Sequence, residues 1–226
     1  MLIGILQTGH FVEEAQARLG DYDKMFHRLL DGQGFSFRTF AVVDMEFPAS
    51  VEDCDGWLIT GSKHGAYEDH AFIPPLETFI RDAFAAGRPM VGICFGHQII
   101  AQALGGRVEK FAGGWSIGHQ SYRIEGQQMR LNAYHQDQVV EVPDGAEVVG
   151  ASDFCANAAL VYPGRAFTVQ PHPEFDAGVM DVLLEIRAPG VVPDDLVARA
   201  RSDIALPTEA ASIAQRIGTF FRENAA

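Results

Sequence analysis

The sequence predicts an α/β fold in three layers: a mostly parallel central sheet with helices on both faces, plus a small antiparallel addition. Two observations carry that expectation. Apolar runs closed by turn residues alternate with helical patterns through the N-terminal half, and such βαβα alternation implies a parallel sheet covered on both sides. From Trp115 onward the texture changes to short segments broken by Gly, Pro, Asn and Asp, the pattern of antiparallel strands joined by turns.

In chain order, residues 2–7, 35–43, 56–60 and 89–93 read as buried strands. Between them lie two clear helices. Residues 21–30 place Met25, Leu29 and Leu30 on one face; residues 76–86 are opened by Pro74-Pro75 and closed by Gly87. A further helical pattern runs over 99–104. Segments 117–124, 139–142, 147–151 and 158–161 form the antiparallel addition and lead into a last core strand at 165–169. After Glu174, helices are expected at 177–186, 193–204 and 208–221, separated by Pro189-Gly190 and Pro207. The expected organisation is one domain over 1–226, with 176–226 a C-terminal helical extension.

Composition bounds the function. The 226 residues are 47% hydrophobic and 21% charged, ordinary for a folded protein, and the net charge of −13 argues against nucleic acid as a partner. No apolar run reaches membrane-span length, and the first residues lack the basic flank of a signal peptide. Three cysteines, Cys54, Cys94 and Cys155, cannot all pair within one chain, which fits a reducing, cytoplasmic setting. The eight histidines show neither an HExxH motif nor cysteine spacing for zinc, so no metal is expected.

Chemistry concentrates at two segments. Cys94 lies in Gly92-Ile93-Cys94-Phe95-Gly96-His97-Gln98, directly after an apolar strand and before a helix. This is the strand-turn-helix setting of a nucleophile elbow, in which glycines relieve crowding and the helix N-terminus favours a thiolate. The Phe95 N–H becomes an oxyanion-hole donor. The second segment is Gln170-Pro171-His172-Pro173-Glu174, just past the last core strand. Pro173 biases His172 toward extended backbone, which sends Glu174 to the same side as His172. A carboxylate there holds the imidazole tautomer and stabilises the imidazolium. Taken alone, a free cysteine is more often a buried structural residue and a His-Pro-Glu segment a rigid turn. Cys54 and Cys155 keep that plain reading, and His97 and His135 are read as supporting residues.

Together the two motifs resemble the G-x-C-x-G-x-Q and H-P-E signatures of class I glutamine amidotransferases, over Met1 to about Phe175. The resemblance implies a flavodoxin-like sheet and a Cys94–His172–Glu174 triad that attacks the side-chain amide of glutamine, forms a γ-glutamyl thioester and releases ammonia. It implies a second oxyanion donor from the backbone of Ser62 after the tight turn at Gly61. It implies that Gln98 and the segment containing Tyr134 and Gln136 hold the amino-acid end of the small-molecule substrate. No cofactor is implied. The expected reaction is glutamine hydrolysis with ammonia passed to an acceptor. The residues after Glu174 are too few for a synthase domain of ordinary size and lack a phosphate-binding glycine motif, so an acceptor-activating synthase would be a separate protein. The Gly61-Ser62-Lys63-His64 loop resembles free-standing members that include γ-glutamyl peptidases, and cleavage of γ-glutamyl conjugates is the alternative. A non-catalytic module on the same fold is a third reading, which an intact triad disfavours. A redox or chaperone protein of DJ-1-like architecture fits Gln98 and the His-Pro-Glu segment poorly.

Overall fold

A computed structural model describes residues 1–225; Ala226, the last residue of the expected extension, lies outside them. Five parallel strands form the core: β1 (Leu2–Leu6), β2 (Ser36–Phe40), β3 (Gly56–Ile59), β4 (Met90–Ile93) and β11 (Ala166–Val169). The same sheet continues through four antiparallel strands, β10 (Ala159–Tyr162), β9 (Glu147–Ala151), β6 (Ser116–Ile124) and β7 (Gln127–His135), in the order β2-β1-β3-β4-β11-β10-β9-β6-β7. A separate two-stranded ribbon pairs β5 (Arg107–Lys110) with β8 (Asp137–Glu141).

Alternation along the core strands divides their side chains between two layers. Leu6, Trp57, Ile59, Met90 and Ala166 face α3 (Ile73–Ala85) and α4 (Phe95–Ala103). Ile3, Ile5, Leu58, Val91, Ile93, Phe167 and Val169 face the other way, toward α2 (Tyr22–Leu29) and α7 (Ala210–Asn224). A third cluster joins α1 (Glu13–Leu19), α5 (Ala177–Ile186) and α6 (Asp194–Asp203) to Ile117 and Tyr134 on the antiparallel strands. The C-terminal helices therefore supply walls of the core: Ile213, Ile217, Phe220 and Phe221 of α7 are buried against the sheet.

Local chemistry fixes the helix starts. The Asp21 carboxylate accepts the Tyr22 N–H at the head of α2, and Asp176 accepts the Val179 N–H at the head of α5. Helix α3 begins at Ile73, ahead of the expected 76, because Pro74 and Pro75 occupy first-turn positions that need no N–H. The expected strand 35–43 stops at Phe40, and Val42–Asp44 form a 3₁₀ turn. Three elements lack a strong signal in the sequence. Helix α1 is mostly exposed and buries only Ala15; β5 buries only Val108; β7 opens on Gln127-Gln128 and interleaves Arg130 and Asn132 with its inward Met129, Leu131 and Ala133.

Candidate active site

The carboxyl ends of β1, β3, β4 and β11 meet at one edge of the sheet, the usual ligand side of an open α/β fold. Cys94 sits there between β4 and α4 with φ 52° and ψ −100°, a conformation that is strained for a residue with a side chain. The strain is held by backbone bonds on either side: the Cys94 N–H donates to the Val169 carbonyl at 2.9 Å and the Gly96 N–H to that of Thr60 at 3.1 Å. The glycines answer to close packing. A Cβ on Gly92 would lie 2.5 Å from the Gly96 backbone, and one on Gly96 would run into the Ile59 carbonyl.

His172 follows β11. Its N–H donates to the Asn132 carbonyl at 2.8 Å, so β7 sets its position. Its Nδ1 lies 2.7 Å from the Glu174 carboxylate, and its ring stacks on Phe175 with centroids 3.9 Å apart. His172 and Glu174 are 3% and 6% exposed, so the pair is shielded from water. Burial opposes a charge on His172, but the adjacent Glu174 carboxylate and the Cys94 sulfur in its ionised form outweigh it and raise its pKa to about 10. The imidazole is thereby held protonated at neutral pH. Gln170, buried at the end of β11, directs its amide N–H toward the Cys94 sulfur at 3.5 Å.

Gly61 lies against this pair: a Cβ there would be 2.9 Å from His172 Cε1 and 3.8 Å from Cys94 Cβ. The Gly61 carbonyl accepts from the hydroxyls of Thr8 and Thr60 at 3.0 and 2.9 Å. In a trans peptide the following N–H points the opposite way, so the Ser62 N–H is turned away from the threonines. The Ser62 hydroxyl closes the clamp by donating to the Thr8 carbonyl at 2.7 Å. Among the described residues neither the Ser62 nor the Phe95 N–H donates to a backbone carbonyl.

A cleft of about 250 Å³ opens over Cys94 and His172, and Ser62, Gln98, Tyr134 and Gln136 line it. Gln98 is less available than its place in the motif suggests: its amide N–H groups donate to the Asp137 carbonyl at 2.8 Å and to Gln170 at 3.1 Å. These bonds tie α4 to β8 and to the end of β11. Gln136 donates to the Phe111 carbonyl at 3.2 Å, while the buried Tyr134 hydroxyl has no partner among the described residues. His97 and His135 are buried, which pushes both pKa values down to about 3 and keeps the rings neutral. Cys54 and Cys155 are packed in the core and do not line the cleft, and burial raises their pKa to about 11 and about 12.

Several participants carry no motif. The threonine clamp and Asn132 act through the backbone; Gln170 left one sign, a polar residue at the end of an apolar strand. Beside the cleft, which His64 and Glu68 line, ligand atoms of His64, Glu68 and His70 lie within 4.8 Å of one another and form a candidate metal-ligand group that the sequence did not suggest. Lys63 and Arg187 act on His64 as like charges, and their field disfavours a cation there.

The profile of the family described as "Glutamine amidotransferase class-I" matches residues 21–185, most of the chain. The chain belongs to the class I glutamine amidotransferase family. Relatives of this amidotransferase-family chain include γ-glutamyl peptidase 4 of Arabidopsis thaliana, 29% identical over 207 residues that span 84% of this chain and 82% of the relative. Another is a glutamine-hydrolyzing GMP synthase subunit of Halobacterium salinarum, 33% identical over 166 residues, 69% of this chain and 84% of the relative. The fold is shared with a crystal structure of a glutamine amido transferase from Methylobacillus flagellatus, with TM-score 0.75, 22% identity and coverage of 100% and 95% of the two chains. Family members so named are enzymes.

Proposed function

We propose that the chain hydrolyses γ-glutamyl amides through a thioester on Cys94. The observation that carries this reading is the elbow conformation of Cys94 against the buried His172–Glu174 pair. The Cys94 thiolate, its proton held by His172, attacks the γ-carbonyl carbon, and the negative charge that develops on oxygen is met by the Phe95 and Ser62 N–H groups. Protonated His172 donates to the departing nitrogen as the C–N bond breaks, leaving the γ-glutamyl group on sulfur. The imidazole, now neutral, takes a proton from water, whose oxygen displaces the thiolate and releases glutamate. Glu174 holds the imidazole orientation and stabilises its charge. Tyr134 and Gln136 face the amino-acid end of the substrate, and Gln98 positions the Asp137 backbone beside them. No step uses a cofactor.

γ-Glutamyl peptides and conjugates are the favoured substrates. The relative named γ-glutamyl peptidase matches nearly the whole chain, including residues beyond the family profile, and the cleft runs past Cys94 to Lys110, Arg187 and Val191. Free glutamine, with ammonia handed to a separate synthase, is the second reading, favoured by the match to the GMP synthase relative. Three free thiols fit a reducing, cytoplasmic setting. The test is a panel of glutamine and γ-glutamyl dipeptides with glutamate and released amine both quantified. Efficient peptide cleavage is expected. Turnover of glutamine alone, accelerated by an added synthase, would favour the second reading, and turnover of neither would oppose the proposal.

A further inference from the structure

We infer that the cleft selects γ-glutamyl amides whose leaving group carries a negative charge, such as the free carboxylate of a peptide, and that Lys63, Lys110 and Arg187 recognise it. This rests on the γ-glutamyl amide reading above. The chain has 30 acidic residues against 17 Lys and Arg, and its only lysines are Lys24, Lys63 and Lys110. Lys24 is paired with Asp23 on the surface, whereas Lys63 and Lys110 both line the cleft over Cys94, together with Arg187. In so acidic a chain, chance placement would surround these cations with carboxylates. Among the described residues none of the three has a carboxylate within ion-pair distance. Arg187 instead lies over the Tyr134 ring, 5.8 Å from its centroid.

Of the two carboxylates on the cleft wall, Glu68 is engaged elsewhere, whereas Asp137 sits opposite Lys110 in the β5–β8 ribbon, near enough to act as a partial counter-charge without closing an ion pair. Glu68 accepts the Gly65 N–H at 3.0 Å and lies 2.8 Å from His70, and Asp137 accepts the Tyr67 hydroxyl at 3.2 Å. Lys63 and Arg187 are both near enough to His64 to act on its charge. The γ-glutamyl half of any substrate is a zwitterion, with an α-carboxylate balanced by an α-ammonium. Surplus positive charge beside Cys94 therefore has no counterpart in free glutamine. It has one in an amide whose nitrogen belongs to an amino acid or peptide with a free carboxylate.

The experiment compares γ-glutamylalanine with γ-glutamylalaninamide, which share the glutamyl group and the scissile bond and differ by one negative charge. Two or three partly exposed ion pairs should favour the acid about tenfold in kcat/KM for the wild type, with a similar ratio of Kd for Cys94→Ala by calorimetry. The ratio should fall toward one in Lys63→Gln, Lys110→Gln or Arg187→Gln and at high salt. Equal constants for the two ligands in both proteins, or binding of neither by Cys94→Ala, would overturn the inference. Preferential binding of the acid without cleavage of either would uphold the anion site and refute the thioester reading.

Discussion

At the scale of single residues, the proposed chemistry rests on three side chains with separable effects. Cys94→Ala should abolish turnover, while Cys54→Ala and Cys155→Ala, which do not line the cleft, should leave it intact; a γ-glutamyl-directed electrophile should label Cys94 alone, as read by peptide mass spectrometry. His172→Ala should lose roughly 10²–10⁴-fold in kcat, and Glu174→Gln should be milder because the imidazole keeps a hydrogen-bond acceptor. The raised pKa of His172 also makes a stability prediction. The folded state holds a proton that the unfolded chain releases near 6.5, so the stabilisation is fully present below that pH and is lost as pH rises through about 10. The thermal midpoint should fall over this window in the wild type and fall less in His172→Gln. Cys94, His172 and Glu174 were legible in the sequence because each lies in a short motif whose neighbours are its structural context. Gln170 and the Thr8–Thr60 clamp were not, because they work through partners 76 and 52 residues away.

At the scale of elements, the elbow depends on two glycines that let β4 and α4 approach each other. Gly96→Ala would force a methyl into the Ile59 carbonyl, so the strand-helix contact must open and Cys94 must shift. The expected outcome is a loss of about 1–3 kcal/mol in urea unfolding with a larger proportional loss of activity; unchanged kcat/KM would show that the elbow geometry is dispensable. Core strands were readable because burial on both faces demands apolar runs. Strand β7 was not, since Gln127, Gln128 and Arg130 are exposed and Asn132 is polar though buried, which masks the alternation of Met129, Leu131 and Ala133. This matters for the site, because β7 supplies the Asn132 carbonyl that positions His172.

At the scale of the whole molecule, the C-terminal residues complete the second helical layer. Phe221 is fully buried and its ring meets Phe35 edge-on at 5.9 Å. Phe221→Ala should cost about 3–5 kcal/mol by chemical denaturation, whereas a detached extension would tolerate it. No helix among the described residues is long and apolar enough to cross a membrane. The sequence indicated where helices would lie after Glu174 but not what they cover, since an amphipathic helix does not name its partner face.

The central claim is covalent catalysis by Cys94, and the most direct measurement is acid quench of the wild-type protein during turnover of a γ-glutamyl peptide, followed by peptide mass spectrometry. The Cys94 peptide should carry one γ-glutamyl group, lost on hydroxylamine treatment and absent from Cys94→Ala. Continued hydrolysis by Cys94→Ala at the wild-type rate, with no adduct on Cys94 in the wild type, would contradict it.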